Sequence, residues 1–276
     1  MKSKFMGWKA NGYVKTFYFF WLPLKRKVKT ESSVFSEFEK IKTSYLPAMA
    51  THPEVFGKYK GCYAGKDVVI IACGPTLDKY TPIPGAIHIG VNRAFLSKHV
   101  ELDYLVMIDG HPHLDESQLI NYRPGKCRKL FGMHPTDQRI SETLCKACDA
   151  ERFYLELVSP FNRGKRLPFD LAHMPMRVSA SVVSSAVQFA LWCHPRRLYL
   201  VGCDCANNGY HAGDKGPIAQ NLCVGDMYPE WQRLGEFAKE MYPDTELISI
   251  NPVGLRGLFK DMKMENGELS DLPPLS

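Results

Sequence analysis

The sequence lacks an apolar run long enough to cross a bilayer. Residues 17–24 are apolar but span only eight positions, whereas a membrane-spanning helix needs about 20. They also lack the small-residue cleavage pattern of a secretory signal, so we expect a cytoplasmic protein. Basic residues follow at 25–29. Two interpretations of residues 17–29 stay open: an N-terminal helix with a solvated basic end, or a peripheral contact with anionic lipid at the inner face of the membrane.

The sequence also lacks the complete ligand set of a zinc site. Cys145 and Cys148 have the spacing of half such a site, but no second Cys or His pair follows at finger-like spacing, and a structural zinc ion takes four ligands. His111 and His113 flank a proline and are interpreted as surface residues that could line a pocket. Nine cysteines without an export signal indicate reduced thiols rather than a disulfide framework.

Short β-branched runs alternate with helical stretches from residue 67 onward, which is the pattern of parallel strands joined by helices. Several of these runs lack apolar/polar alternation, which predicts strands covered on both faces. The sequence therefore predicts an α/β, doubly wound, Rossmann-like and mostly parallel sheet in one principal domain at 67–262. A helical, basic extension at 1–66 precedes it, and a disordered tail at 263–276 follows. The predicted strands cover residues 68–73, 87–92, 104–109, 128–133, 153–157, 198–204 and 246–251, and the predicted helices cover 179–193 and 230–242.

The usual nucleotide fingerprints are missing from the loop after the first predicted strand. The loop reads Gly74, Pro75, Thr76, without the Lys of a Walker loop or the repeated Gly of a dinucleotide fold. It turns abruptly at the carboxyl edge of the sheet, where open α/β sheets bind ligands. Gly74 would let the backbone approach a ligand, Pro75 suits a first helical position, and free N–H groups of the new helix could receive a phosphate. A plain tight turn is the alternative.

Three further strands are predicted to end in polar residues, namely Asn92, Asp109 and Asp204. Because the carboxyl ends of parallel strands share one edge of a sheet, we expect these side chains to converge with Gly74 on one pocket. Each residue alone could equally be a helix cap or a turn former. The connection at about 205–228 is rich in Gly, Asn and Asp and long for a segment without periodicity, so we expect a flexible lid over the ligand.

Four segments of the sequence carry a resemblance to a known family. They are Gly74-Pro75-Thr76-Leu77, Val91-Asn92-Arg93, the block from Arg177-Val178-Ser179-Ala180-Ser181 to Gly202-Cys203-Asp204, and Asn251-Pro252. In these segments the chain resembles the bacterial lipooligosaccharide sialyltransferases, with the flagellin-modifying and methanopterin-pathway proteins that share their core. The resemblance implies a Rossmann-type sheet, a lid that closes over the donor, and sugar transfer from a cytidine nucleotide without a metal cofactor. It also implies that Gly74, Asn92, Ser179 and Ser181 surround the nucleotide and that Tyr210 contacts its phosphate.

A sugar-transfer reaction of this kind needs a base that takes the proton of the acceptor hydroxyl. The family uses a His, and the position that aligns with it here is Asp226. His211, in the predicted lid, is the second candidate. Asp226 could instead only cap the start of the following helix.

Three functional hypotheses follow. The first is a nucleotide-sugar glycosyltransferase that moves a cytidine-activated, sialic-acid-like sugar onto a bacterial or phage surface glycan or protein. The second is a diphosphotransferase similar to the pterin pyrophosphokinase, in which Asp109 and Asp204 would hold magnesium on a triphosphate. The third is a non-catalytic nucleotide-binding phage or structural protein, because Cys73 and Ala206 depart from the family pattern. The expected partners are a donor and an acceptor, with a homo-oligomer as an open alternative and no nucleic acid.

Overall fold

The computed structural model describes residues 6–11, 14–19, 22–28, 38–110, 114–134, 139–157, 167–178, 181–206, 209–214 and 224–273. Within 6–28 and 224–226 it describes the backbone alone. His111, His113 and Ser179 lie outside the described residues. The chain divides into two compact units, Met1–Thr43 and Ser44–Ser276.

The first unit contains an antiparallel three-stranded sheet. Strand β1 (Met6–Asn11) pairs with β2 (Val14–Phe19), which pairs with β3 (Leu22–Val28). The interpretation of residues 17–29 as a helix is therefore wrong. Three consecutive aromatic residues at 17–19 favour a strand. Antiparallel pairing gives the backbone N–H and C=O groups hydrogen-bond partners, as a helix would also have done. Among the described residues, no helix is both long enough and apolar enough to span a membrane.

The second unit is built on a ten-stranded sheet that is parallel except at one edge. The strands are β4 (Asp67–Ile71), β5 (Ile87–Val91), β6 (Tyr104–Met107), β7 (Arg128–Met133), β8 (Glu151–Leu157), β9 (Met176–Val178), β10 (Arg197–Val201), β11 (Glu246–Ile250), β12 (Lys260–Glu265) and β13 (Glu268–Asp271). Their order in the sheet is β13-β12-β11-β10-β4-β5-β6-β7-β8-β9. The chain adds strands outward from β4 to β9, returns to the other side of β4 with β10, and then adds strands in the opposite direction, so the switch point lies between β4 and β10.

The sheet is covered on both faces, as predicted. Val68 and Ile70 of β4 face one apolar cluster, whereas Val69 and Ile71 face another. The first cluster includes residues of three helices, α1 (Leu46–Phe56), α4 (Val183–Trp192) and α5 (Val224–Met241); the second includes residues of α2 (Glu116–Asn121) and α3 (Glu142–Ala147). The α/β, mostly parallel, doubly wound fold is thus confirmed. All seven predicted strands are present.

Three boundaries differ from the predictions. The helical part of the N-terminal extension is present as α1, but it belongs to the same compact unit as the sheet. The tail is not disordered at 268–271, because β13 pairs antiparallel with β12 through a turn in which Asn266 and Gly267 have φ of 51° and 84°, which suits a two-residue hairpin. Helix α5 begins at Val224 and contains Pro229, a residue that normally marks a helix boundary.

Candidate functional site

A cavity of about 320 Å³ opens at the switch point between β4 and β10. Its volume falls at the lower end of the range of small-molecule sites, about 300–1,000 Å³. Its walls come from the residues that follow β4, β5, β6 and β10, from the start of α4, from residues 209–214 and from α5. The predicted site residues that line it are Gly74, Asn92, Asp109, Ser181, Asp204 and Tyr210.

The loop after β4 packs directly against the loop after β10. A Cβ at Gly74 would lie 2.5 Å from the Gly202 carbonyl oxygen and 2.6 Å from Cγ of Asp204. Glycine is therefore required here because two backbone loops meet, which is a different reason from the predicted approach of a ligand. Pro75 begins the short 3₁₀ helix Pro75–Lys79, in keeping with its predicted place at a first helical position.

Asp204 caps that short helix. Its carboxylate accepts a hydrogen bond from the Thr76 backbone N–H at 3.2 Å and another from the Thr76 hydroxyl. Asp204 is buried, with 5% of its surface exposed. The backbone N–H of Thr76, which was predicted to receive a phosphate, is thus already bound to the Asp204 carboxylate. A phosphate at this turn would lie next to that negative charge.

Asn92 presents an acceptor without a partner. It follows β5 in the left-handed region, with φ 46°, a conformation that Asn tolerates better than most residues. Its side-chain Oδ1 is buried and has no hydrogen-bond partner among the described residues. Because a buried unsatisfied acceptor costs about 1–3 kcal/mol, its occurrence on the wall of a cavity indicates a place for a ligand donor.

The two carboxylates predicted to hold magnesium each have a partner within the protein. Asp109 pairs with Arg139, whose Nη1 lies 2.6 Å from Oδ1, whereas Asp204 is engaged by Thr76. Among the described residues, no group of three or more His, Cys, Asp or Glu side chains is arranged to hold a metal ion. In this structure each of the two carboxylates is thus bound to a protein group.

His211 fastens its loop to the sheet. Its backbone N–H donates to the Cys73 carbonyl at 2.9 Å, and its Nδ1 accepts from the Gly213 N–H at 3.2 Å. Its Nε2 therefore carries the proton and donates to the Arg93 carbonyl at 3.3 Å. Burial lowers the pKa of His211, which keeps the ring neutral. Both ring nitrogens are occupied, so this arrangement does not present His211 as a base to the cavity.

A buried ion pair that the sequence analysis missed joins this loop to the residues that follow β5. Nε of Arg93 lies 3.0 Å from Oδ2 of Asp214, and the two side chains are 6% and 1% exposed. The Arg93 guanidinium also lies 5.0 Å from the ring centre of Tyr210, a cation–π contact. Residues 209–214 are thus held against β4 and β5. Of the remaining predicted lid, 205–206 follow β10 and line the cavity, 224–228 belong to α5, and 207–208 and 215–223 lie outside the described residues.

Two helices complete the walls. Ser181 lies at the start of α4, where its hydroxyl accepts from the Val183 N–H at 3.2 Å, and the positive end of that helix dipole meets the cavity. From α5 come Met227 and Trp231, both buried and apolar. Asp226 is in the first turn of α5, and its side chain is outside the description.

Three thiols line the cavity at Cys73, Cys203 and Cys205. Burial raises the pKa of Cys73 to about 12 and that of Cys205 to about 11, and it raises the pKa of Cys203 as well. All three stay protonated near neutral pH. Because the thiolate is the nucleophilic form of cysteine, these side chains are wall residues rather than nucleophiles.

Comparisons with known proteins found no matching family model and no matching curated protein. The solved structures that are similar include two of a sialyltransferase. One is the sialyltransferase CstII in complex with CMP, 14% identical, covering 66% of this chain and 80% of that chain with a TM-score of 0.39. The other is CstII from Campylobacter jejuni with the substrate analogue CMP-3FNeuAc, 11% identical, covering 76% and 92% with a TM-score of 0.38. The chain thus has a structural similarity to that sialyltransferase at low sequence identity, and these matches alone assign it no activity.

Proposed function

We propose that this chain binds a nucleotide in the switch-point cavity and acts as a nucleotide-sugar-dependent glycosyltransferase. The observation that carries the proposal is the partnerless Oδ1 of Asn92 in the wall of a cavity at the position where open α/β sheets bind their ligands. A small rotation of the side chain would let this oxygen accept a hydrogen bond from the base amino group or a ribose hydroxyl of a nucleotide.

The phosphate is proposed to lie at the start of α4. Asp204 lines the cavity, and its carboxylate would repel a phosphate placed near it. The start of α4 offers the opposite environment, because the Ser181 hydroxyl and the positive end of a ten-residue helix meet the cavity there and favour an anion. Met227 and Trp231 would cover the apolar side of the ligand.

The donor is proposed to be a cytidine-activated, sialic-acid-like sugar, with Asp226 as the base that deprotonates the acceptor hydroxyl. The sequence resemblance described above supports both assignments. Asp226 directly precedes the cavity residue Met227, so its backbone is near the proposed reaction. A carboxylate needs desolvation to act as a base near neutral pH, and the buried Met227 and Trp231 supply an apolar surface on the same helix.

A thermal-shift panel tests the nucleotide assignment, since a ligand that binds only the folded state raises its apparent stability. Cytidine, uridine, guanosine and adenosine nucleotides are each added with magnesium and with EDTA. We expect cytidine nucleotides to raise the Tm most, and equally in EDTA. A shift that occurs only with a triphosphate and magnesium would favour the diphosphotransferase instead, and no shift with any nucleotide would contradict the proposal.

A second assay separates binding from catalysis. The protein is incubated with a CMP-activated sialic acid and candidate glycan acceptors in EDTA, and CMP release and acceptor mass are measured. Acceptor-dependent CMP release supports the transferase. Cytidine binding without turnover across a broad acceptor set would favour the non-catalytic nucleotide-binding hypothesis.

A further inference from the structure

The segment that precedes β4 is fastened to the end of α4. The Gly61 N–H donates to the Trp192 carbonyl at 3.0 Å, and the Tyr63 N–H donates to the Cys193 carbonyl at 2.9 Å. The Trp192 indole N–H donates to the Phe56 carbonyl at 2.9 Å. Residue 62 is therefore held between two backbone hydrogen bonds to residues 192 and 193.

These backbone hydrogen bonds place Cys62 beside Cys193. Cys62 is exposed, whereas Cys193 is fully buried. The neighbouring Cys193 thiol lowers the pKa of Cys62, and burial raises the pKa of Cys193. One thiol is thus accessible and has a lowered pKa, and its neighbour is shielded from solvent.

The other described cysteines differ from Cys62. They are buried or partly buried, and burial raises the pKa of Cys127 to about 12 and the pKa values of Cys145 and Cys148 as well. Thiol reactivity follows the thiolate fraction and exposure. Among the described thiols, these two properties therefore coincide at Cys62.

We propose that Cys62 and Cys193 form a thiol–disulfide exchange site that takes a low-molecular-weight disulfide such as oxidised glutathione. The Cys62 thiolate attacks one sulfur of that disulfide, its S–S bond breaks, and one glutathione thiol leaves. The Cys193 thiol then attacks Sγ of Cys62 and passes its proton to the departing glutathione sulfur, so the second glutathione leaves as its thiol. The protein loses two thiols and gains one disulfide, while one glutathione disulfide becomes two glutathione thiols.

The backbone already holds the two residues together, so the bond requires little movement of the chain. It would link residues far apart in sequence, which lowers the entropy of the unfolded chain. Oxidation is therefore expected to raise the Tm. The site is separate from the nucleotide cavity, and its test does not depend on the proposed glycosyltransferase activity.

The test incubates the folded protein with oxidised glutathione, blocks remaining thiols with N-ethylmaleimide, and maps peptides by mass spectrometry without reduction. We expect a Cys62–Cys193 cross-linked peptide, an intact mass lower by two hydrogen atoms when it is measured before alkylation, and a higher Tm that dithiothreitol reverses. Cys193→Ser should stop at a glutathione adduct on Cys62. Cys62→Ser should give neither product, and the control Cys127→Ser should behave as wild type.

Phenylarsine oxide, which bridges two neighbouring thiols, gives a second measurement on the wild-type protein if Cys193→Ser does not fold. One equivalent should protect Cys62 from N-ethylmaleimide. The proposal is overturned if wild type accumulates the Cys62 adduct without the cross-link, if Cys62 is alkylated no faster than Cys127, or if phenylarsine oxide gives no protection.

Discussion

Replacing Asn92 with Gly should separate nucleotide binding from folding. In the free protein, the buried Oδ1 of Asn92 has no partner among the described residues, a cost of about 1–3 kcal/mol that a ligand donor would remove on binding. Loss of the amide should therefore weaken cytidine nucleotide binding by about 1–3 kcal/mol, or roughly 5- to 150-fold in Kd.

Asn92→Gly should leave the stability of the ligand-free protein unchanged or raise it. The variant loses an unsatisfied acceptor, and glycine adopts the φ of 46° at this position without strain. Glycine adds a conformational entropy cost of about 0.5–1 kcal/mol, which partly offsets the gain. The Tm of the ligand-free variant should thus equal or exceed that of wild type. Asn92→Ala should lose the same affinity but be less stable than Asn92→Gly, because alanine is strained at positive φ.

Isothermal titration calorimetry gives the Kd, and thermal denaturation without ligand gives the Tm. Asn266→Gly is the matched control, since Asn266 has a similar φ of 51° but lies exposed in the turn between β12 and β13. It should leave the Kd unchanged. If Asn92→Gly binds cytidine nucleotides as tightly as wild type, or loses affinity only in proportion to lost stability, the assignment of Asn92 is refuted.

Three further predictions concern the base, the buried ion pair and pH. Asp226→Asn should lower turnover at least about a hundredfold with an unchanged nucleotide Kd; full turnover in this variant would remove Asp226 from the mechanism. Asp214→Ala should destabilise the fold by about 3–5 kcal/mol in urea unfolding, because it leaves the Arg93 guanidinium, 6% exposed, without its ion-pair partner; a loss below about 1 kcal/mol would show that solvent reaches the pair. Burial lowers the pKa of His52 to about 4, so the unfolded state takes up a proton below about pH 6.5 and the folded state does not. The free energy of unfolding is therefore retained above about pH 6.5 and falls as the pH approaches 4, with a loss of about 2 kcal/mol between pH 7 and 5. In urea unfolding as a function of pH, His52→Gln should lack this decrease.

The amino-acid sequence determined the sheet through patterns that are local in the chain. Unalternated apolar runs such as Val68–Ile71 predict strands that need cover on both faces, and those residues are fully buried. The same patterns located the strand ends, and hence predicted that Asn92, Asp109 and Asp204 would share one edge. Elements without an apolar run were missed: β9 has three residues, and β12 and β13 are rich in charge.

Only the tertiary structure decided what each polar group faces. Asp204 is bound by Thr76, 128 residues away in sequence, Asp109 by Arg139, and Asp214 by Arg93. Each pair joins different loops, so no local pattern could indicate whether a carboxylate meets a ligand or another protein group. His211 became a fastening residue for the same reason, because its ring nitrogens meet the backbone at Arg93 and Gly213. Asn92 remains without a partner because none of the described loops brings a donor to its Oδ1.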